Sequence, residues 1–431
     1  MDPQALALNK IIEAKHPEIL NMLSERGRSI FFPKQGILAQ SAQAKGKLIN
    51  ATIGEAREDD GSPVHLEELE KLINLPSQDV YTYAPSFGKP EIRNQWMQFI
   101  YKKNPSLGNT LFSKPIATNG LTHGLSITGY LFADKDDTVV LSDLYWENYD
   151  LIFSNAYGAN IRTFRLFNNG GFDVTGLGNT LDEIKSEKII LLLNFPNNPS
   201  GYTPLSDEVE LITLEILKQA EKGKKVVVII DDAYYGLVFE EKVFPESIFV
   251  KLANLHTNIL AIKLDGPTKE DYVWGFRVGF ISFAVKEGDT ALYEALEAKT
   301  AGAIRGNISN ISHLSQSLLL QAYMNESYES TKARKFEILR KRCSILKDCF
   351  TSKKYKEYFE PLPFNSGYFM CIEIKKGLDP EKVRLHLLEK YSTGVIVFGK
   401  VIRLAFSAVS EKKLPELVEN IYLACRDIEK K

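Results

Sequence analysis

The chain predicts a mostly parallel α/β sheet flanked by helices, joined to a smaller α+β domain. Three observations carry that expectation. Short, near-continuous apolar runs recur through the middle of the sequence, stretches of helical character separate them, and after about Ser309 the texture changes to long helical stretches with isolated short strands.

The strand candidates come in order. Thr138–Ser142, Lys188–Asn194, Lys225–Asp231 and Ile259–Leu264 are rich in Val, Ile and Leu with no alternation. Such runs suit strands buried on both faces of a parallel sheet. Between the second and third, Ser206 to Lys222 reads as a helix, with Ser206-Asp207-Glu208 as its cap and Gly223 as its stop. Strands alternating with helices imply right-handed βαβ units. Farther on, Leu314, Leu318 and Ala322 recur at i+4 ahead of the charged stretch Glu326–Lys347, which predicts one long helix. Gly367–Ile374 and Val401–Phe406 are the strand candidates of the tail.

Composition excludes more than it selects. Apolar residues are 44% and charged residues 25% of the 431, so a large soluble core is expected. A net charge of -2 argues against a general binder of nucleic acid or anionic membrane. No apolar run approaches the ~20 residues of a spanning helix. Cys343, Cys349, Cys371 and Cys425 form no C-x-x-C pair, so they read as reduced residues of a cytoplasmic protein. Met1-Asp2-Pro3-Gln4 does not begin a secretory leader. His16, His65, His256, His313 and His386 form no metal-ligand pattern, and no metal is expected.

In open α/β sheets ligands bind beyond the carboxyl ends of the strands. Asn194-Phe-Pro-Asn-Asn198-Pro-Ser-Gly201 follows the second run, Asp231-Asp-Ala-Tyr234 the third, and Asp265-Gly-Pro-Thr-Lys269 the fourth. An amide, a carboxylate with a phenol three residues on, and a lysine thus leave one sheet edge together. Singly each has a plainer reading: a turn residue, a helix cap, a packed aromatic, a solvated lysine. Jointly they suit pyridoxal phosphate. That cofactor needs an amine for its aldehyde, an acid at its ring nitrogen, donors for its ring oxygen, an aromatic on its ring face and a phosphate cradle.

The same residues resemble the fold type I, class I/II PLP-dependent aminotransferases, of which aspartate aminotransferase is the best-known member. The resemblance runs from about Leu48 to Phe406. Asn198-Pro-Ser-Gly201 resembles the family's N-P-[TS]-G turn and Asp231-Asp-Ala-Tyr234 its D-x-A-Y. Lys269 stands eight residues before Arg277, as do the family's cofactor-linked lysine and phosphate-binding arginine. By the same likeness Asn198 and Tyr234 meet the ring oxygen, Asp231 the ring nitrogen, Leu121 and Thr122 the phosphate, and Trp146 the ring face, with Tyr145 its rival. Tyr83 is implied to reach the phosphate in a neighbouring subunit, which makes the protein a homodimer with shared sites. On the substrate side, Arg403 matches the arginine that grips the α-carboxylate, Gly54 a glycine whose backbone approaches the substrate, and Arg305 the arginine that reads a side-chain carboxylate across the dimer.

The resemblance implies three parts: residues 1–60, an N-terminal segment joining the small domain; 61–318, the large PLP-binding domain; and 319–431, the C-terminal small domain. It implies ping-pong transfer of an amino group between amino-acid and 2-oxo-acid substrates, with aspartate, glutamate and 2-oxoglutarate as candidates. Lys269 and Asp231 would equally serve a β-lyase, a decarboxylase or a synthase. The chain also departs from the family. Gly266 stands where many members have a phosphate-binding serine, with Thr268 or a water as a replacement. Glu270 and Asp271 follow the lysine where small or apolar residues are common, and are expected to face solvent. Lys263, on the strand itself, ranks below Lys269 as the cofactor lysine. His123 reads as a shaping residue.

Overall fold

The computed structural model describes residues 1–15, 20, 23, 28–29, 36–66, 69 and 75–430, so His16 lies outside the described residues. The strands are β1 Ile49–Asn50, β2 Ile116–Thr118, β3 Thr138–Ser142, β4 Asn160–Phe164, β5 Phe167–Asn168, β6 Gly171–Phe172, β7 Lys188–Asn194 and β8 Lys225–Asp231. They continue with β9 Ile259–Asp265, β10 Gly279–Ala284, β11 Phe359–Pro361, β12 Phe369–Ile374, β13 Thr393–Gly394, β14 Ile396–Phe398 and β15 Val401–Ala405.

The central sheet has the order β2-β10-β9-β8-β7-β3-β4. β9, β8, β7, β3 and β4 pair in parallel, while β10 runs antiparallel to both its neighbours. This is the expected α/β class. In β7 and β8 every residue after the first is buried, as two covered faces require. Register then brings the chemistry together. Asn194 pairs with Asp231 and Asp231 with Leu264, so the carboxyl ends of β7, β8 and β9 line up at one edge.

Helix Ser206–Glu221 buries Val209, Ile212, Ile216 and Ala220 at helical spacing. Its cap differs from the expectation. Ser206 lies inside the helix, and the Glu208 carboxylate accepts the Leu205 N–H at 2.8 Å. Glu208 also accepts from the Phe172 N–H and the Tyr202 hydroxyl, tying β6 and the Asn198 turn to the helix start. The expected long helix after residue 314 is two, His313–Tyr323 and Tyr328–Phe350. Between them the Asn325 side chain accepts from the Ser327 N–H at 3.0 Å and from its hydroxyl at 2.8 Å. This local Asx turn competes with helix continuation.

A second sheet, β11-β12-β15-β14, is antiparallel throughout. Met370, Ile372, Ile402 and Leu404 from it pack with Leu417 and Ile421 of helix Leu414–Glu429 in a core of their own. Ile49 and Ala51 belong to that core, and β1 pairs with β13. The segment around residue 50 therefore joins the C-terminal layer before the chain enters the large sheet. Among the described residues no helix is long and apolar enough to cross a membrane.

Candidate active site

A cavity of about 1030 Å³ opens where the edge of the large sheet faces the smaller layer. Gly54, Leu121, Thr122, Trp146, Asn198, Asp231, Tyr234, Lys269, Arg277 and Arg403 all line it. They come from segments up to 349 positions apart in sequence, so only the fold can gather them.

The turn after β7 is held from inside. Asn194 donates to the Asp231 carbonyl at 2.8 Å and accepts the Asn198 N–H at 2.8 Å. Asn197 accepts the N–H and hydroxyl of Ser200. Gly201 has φ +71, and a Cβ there would lie 1.8 Å from the Phe369 carbonyl oxygen, so only glycine fits this crossing to the small layer. Asn198, thus fixed, accepts from the Arg403 guanidinium at 3.2 Å.

Asp231, at the end of β8, is 3% exposed. It accepts the Tyr149 hydroxyl at 2.6 Å and the Ala233 N–H at 3.1 Å. Burial raises its pKa above the usual carboxylate value, against the Tyr149 bond and the Lys269 charge. The Lys269 ammonium sits over the Tyr234 ring, 5.2 Å from its centroid. The protein around the lysine strips water from its charge and brings its pKa down to about 8, with Asp231 opposing and Arg277 assisting. The Tyr368 hydroxyl donates to the Lys269 carbonyl at 2.7 Å and secures the turn Pro267–Glu270. No described carboxylate lies within ion-pair distance of Lys269 or Arg403.

Arg403, from β15, is 3% exposed. It donates to Asn198 and to the Thr52 carbonyl at 3.1 Å, and its guanidinium lies 4.3 Å from the Phe369 ring centroid. Its Nε is buried with no partner. A buried cation without a counter-ion is costly, and a planar fork of this kind receives a carboxylate well.

Arg277 has left-handed φ (54°) and donates to the Trp274 carbonyl at 3.0 Å. A Cβ on Gly120 would lie 2.3 Å from its guanidinium, so the first turn of helix Gly120–Phe132 rests directly on this cation. Free N–H groups of a helix start beside an arginine form an anion cradle. His123 closes the turn by accepting the Asn119 N–H at 3.0 Å, which makes it a shaping residue by geometry. Gly266 is packed tightly, for a Cβ there would meet Gly279 Cα at 2.8 Å, so a serine does not fit. Thr268 is the hydroxyl that lines the cavity instead, with a long 3.4 Å bond to the Val278 carbonyl.

These groups fit pyridoxal phosphate: an amine low in pKa, a buried acid, a phenol and an amide, an indole, and a cationic cradle. The Trp274 Nε1 donor is buried in the cavity wall without a partner, which a polar ligand would satisfy. Tyr149, Asn194, Trp274 and Phe369 also belong to the site and escaped the sequence reading. Tyr149 lay in view, within the aromatic segment Tyr145–Tyr149. Trp146 lines the cavity, while the Tyr145 hydroxyl turns to Asp150 at 3.2 Å.

Tyr83 and Arg305 do not line the cavity of their own chain; both are exposed, Tyr83 at 87%. Glu270 and Asp271 do not face solvent, being buried at 4% and 0% exposure. Glu270 pairs with Lys103 and Lys332 at 2.7 Å each, and Asp271 accepts from Tyr323 and Tyr328. Lys263 is also fully buried and paired with Asp232 and Asp265 away from the cavity.

Comparison with known proteins gives a consistent picture. Residues 46–421 match the family described as aminotransferase class I and II. The cytoplasmic aspartate aminotransferase of Oryza sativa subsp. japonica is 25% identical over 61% of this chain, which spans 64% of that enzyme, just under two thirds of its length. The aspartate aminotransferase of Pyrococcus horikoshii is 25% identical over 89% of this chain and 92% of its own. An aminotransferase from Anaerococcus prevotii DSM 20548 superimposes with a TM-score of 0.83 at 25% identity, covering 93% of this chain and 98% of that one.

Proposed function

Because the chain belongs to the class I and II aminotransferases, we propose that it moves an amino group from an amino acid to a 2-oxo acid by a ping-pong mechanism on pyridoxal phosphate. One observation carries the reading: two cations without carboxylate partners, Lys269 and Arg403, share a cavity with the buried acid Asp231. Bound there, pyridoxal phosphate supplies an aldehyde and an electron-withdrawing ring. Lys269 is the covalent anchor and, when freed, the base that takes the substrate's α-proton and then returns it as an acid. A pKa of about 8 suits both duties near neutral pH. Asp231 would keep the ring nitrogen protonated, with Tyr149 holding the carboxylate in place. Arg277, the start of helix Gly120–Phe132 and Thr268 hold the phosphate. Trp146 would cover the ring, and Asn198 and Tyr234 would bond the ring oxygen. Arg403 and Asn198 grip the substrate α-carboxylate, with the Gly54 backbone alongside.

A homodimer with shared sites belongs to the same proposal. Ser86 donates to the Ser309 carbonyl at 2.8 Å, and Thr82 bonds His313. The loop carrying Tyr83 is thus tied to the chain just after the Arg305 helix, and both side chains are exposed. Tyr81, 84% exposed, adds a second exposed aromatic two residues before Tyr83, as interfaces often have. On this reading Tyr83 serves the partner's phosphate and Arg305 a dicarboxylic substrate's distal carboxylate. The described cysteines are all free, which suits a cytoplasmic protein.

Two measurements test the proposal. Lys269→Ala should abolish the visible absorbance of the lysine-linked cofactor, and colour that survives dialysis in that variant would refute the assignment. A screen mixing the purified protein with each amino acid should bleach that absorbance while releasing a 2-oxo acid. Reaction with Asp and Glu that disappears in Arg305→Ala supports dicarboxylic substrates, whereas reaction with apolar amino acids alone removes them.

A further inference from the structure

Behind the cofactor lysine lies a charge cluster that the reaction as described does not use. Glu270 and Asp271 follow Lys269 directly and point away from the cavity into the protein. Glu270 receives Lys103 from helix Pro90–Lys103 and Lys332 from helix Tyr328–Phe350, both at 2.7 Å. Lys332 also pairs with Asp271 at 2.8 Å, and Asp271 accepts the hydroxyls of Tyr323 and Tyr328 at 3.0 and 2.9 Å. Among the described residues, Lys332 is therefore the one group that touches both carboxylates. Its helix continues to the other wall of the site, where Lys335 pairs with Glu58 at 2.7 Å and Arg342 with Asp59 at 3.2 Å, just beyond the cavity residues Gly54, Glu55 and Arg57.

We propose that Lys332 is a positioning residue for Lys269: it clamps the two carboxylates that follow the lysine, fixes the turn that presents the amine, and cancels their charge. Two cations, Lys103 and Lys332, balance two anions, Glu270 and Asp271. Asp231 and Arg277 act directly on the Lys269 amine, whereas the cluster meets the lysine through the turn Pro267–Glu270 that both share. Tyr234 presents its ring to that amine, and Tyr272 lies beside the Asp271 end of the cluster. Without Lys332 one negative charge is left over. It favours the protonated form of Lys269 and of its linkage to the cofactor, so the midpoint of the linkage's titration must rise.

The inference rests on the cofactor reading above, and the experiment separates the two. The visible spectrum of the cofactor-loaded protein is titrated with pH. Lys332→Met should move the spectral midpoint up by about one unit, the order expected of one uncancelled buried charge at an effective dielectric near 20. Lys332→Arg should restore it, and the double variant Glu270→Gln/Lys332→Met should bring it back toward the parent value. If Lys332→Met does not fold, Glu270→Gln alone leaves a cation in excess and should move the midpoint down. A folded, coloured Lys332→Met or Glu270→Gln with the parent midpoint overturns the positioning role. Failure of the cofactor reading looks different, because Lys269→Ala would then keep its colour.

Discussion

Cations occupy two neighbouring regions of this molecule and are treated in opposite ways. In the cavity, Lys269 and Arg403 have no carboxylate partner among the described residues, and Arg277 bonds only a backbone carbonyl. Behind the sheet edge, Lys263 is sealed between Asp232 and Asp265, and Lys103 and Lys332 are paired with Glu270 and Asp271. The residue types are the same and the regions adjoin through single peptide bonds: Asp231 to Asp232, Lys269 to Glu270. Where β8 ends, strand alternation explains the division of Asp231 from Asp232, since successive side chains point to opposite faces; Lys269 and Glu270 part instead within the helical turn Pro267–Glu270. One face offers unsatisfied charge to a ligand and the other satisfies charge to hold the strands and the lysine turn. Among these cations, burial alone therefore does not mark a functional residue; a missing carboxylate partner does.

Removing a charge from each region tests this contrast. Arg403→Ala should have the larger effect on catalysis, lowering kcat/KM by about 10²–10³-fold through loss of a buried fork to the substrate carboxylate. The melting point should stay near the parent value, because the alanine relieves an uncompensated cation. Lys263→Met should do the reverse. It leaves Asp232 and Asp265 unpaired in a dry environment and should cost about 3–5 kcal/mol of stability, while the spectrum of bound cofactor is retained. The pH dependence has a definite sign. Burial already raises Asp232 to about 6, with Lys263 opposing. Loss of Lys263 raises it further. A carboxyl with a raised folded pKa contributes stability below its unfolded pKa, near 4, and loses it as pH climbs through the folded value. The variant's deficit should thus be larger at pH 8 than at pH 5 in parallel thermal melts. A variant equally destabilised at both would place Lys263 outside this electrostatic account.

The cavity side was largely readable from sequence and the paired side was not, for a physical reason. Asn198, Asp231, Tyr234, Lys269 and Arg277 sit at strand ends, and apolar runs buried on both faces announce themselves without knowledge of their neighbours. The fold class was legible on the same ground. Glu270 and Asp271 read as solvated charges because their partners lie 52 to 167 residues away on three helices, a distance over which no periodicity speaks. Gly266 read as a lost donor; the crowding by Gly279 that excludes a side chain needs β9 and β10 side by side. The break at Asn325 was a local signal, overlooked because the charged stretch Glu326–Lys347 reads as a continuation of the helix before it.

Tyr149 stands on the border between the two regions and gives the smallest, most discriminating test. Its hydroxyl donates to Asp231, its ring is buried at 1% exposure, and it packs edge-on to Trp146 at 5.6 Å. Tyr149→Phe keeps the ring and removes one hydrogen bond to a buried carboxylate, worth about 1.5–3 kcal/mol. Asp231 already stands above the usual carboxylate range because burial outweighs Tyr149 and Lys269. Without the phenol it rises further, so protonation of Asp231 begins at higher pH. The acid limb of the kcat/KM profile should move upward, and cofactor affinity should fall by about tenfold, the low end of that energy. An unmoved acid limb with weakened affinity would make Tyr149 a packing residue. A moved limb makes it part of the apparatus that keeps Asp231 ionised, in which case the division between unpaired and paired charge passes through a single tyrosine hydroxyl.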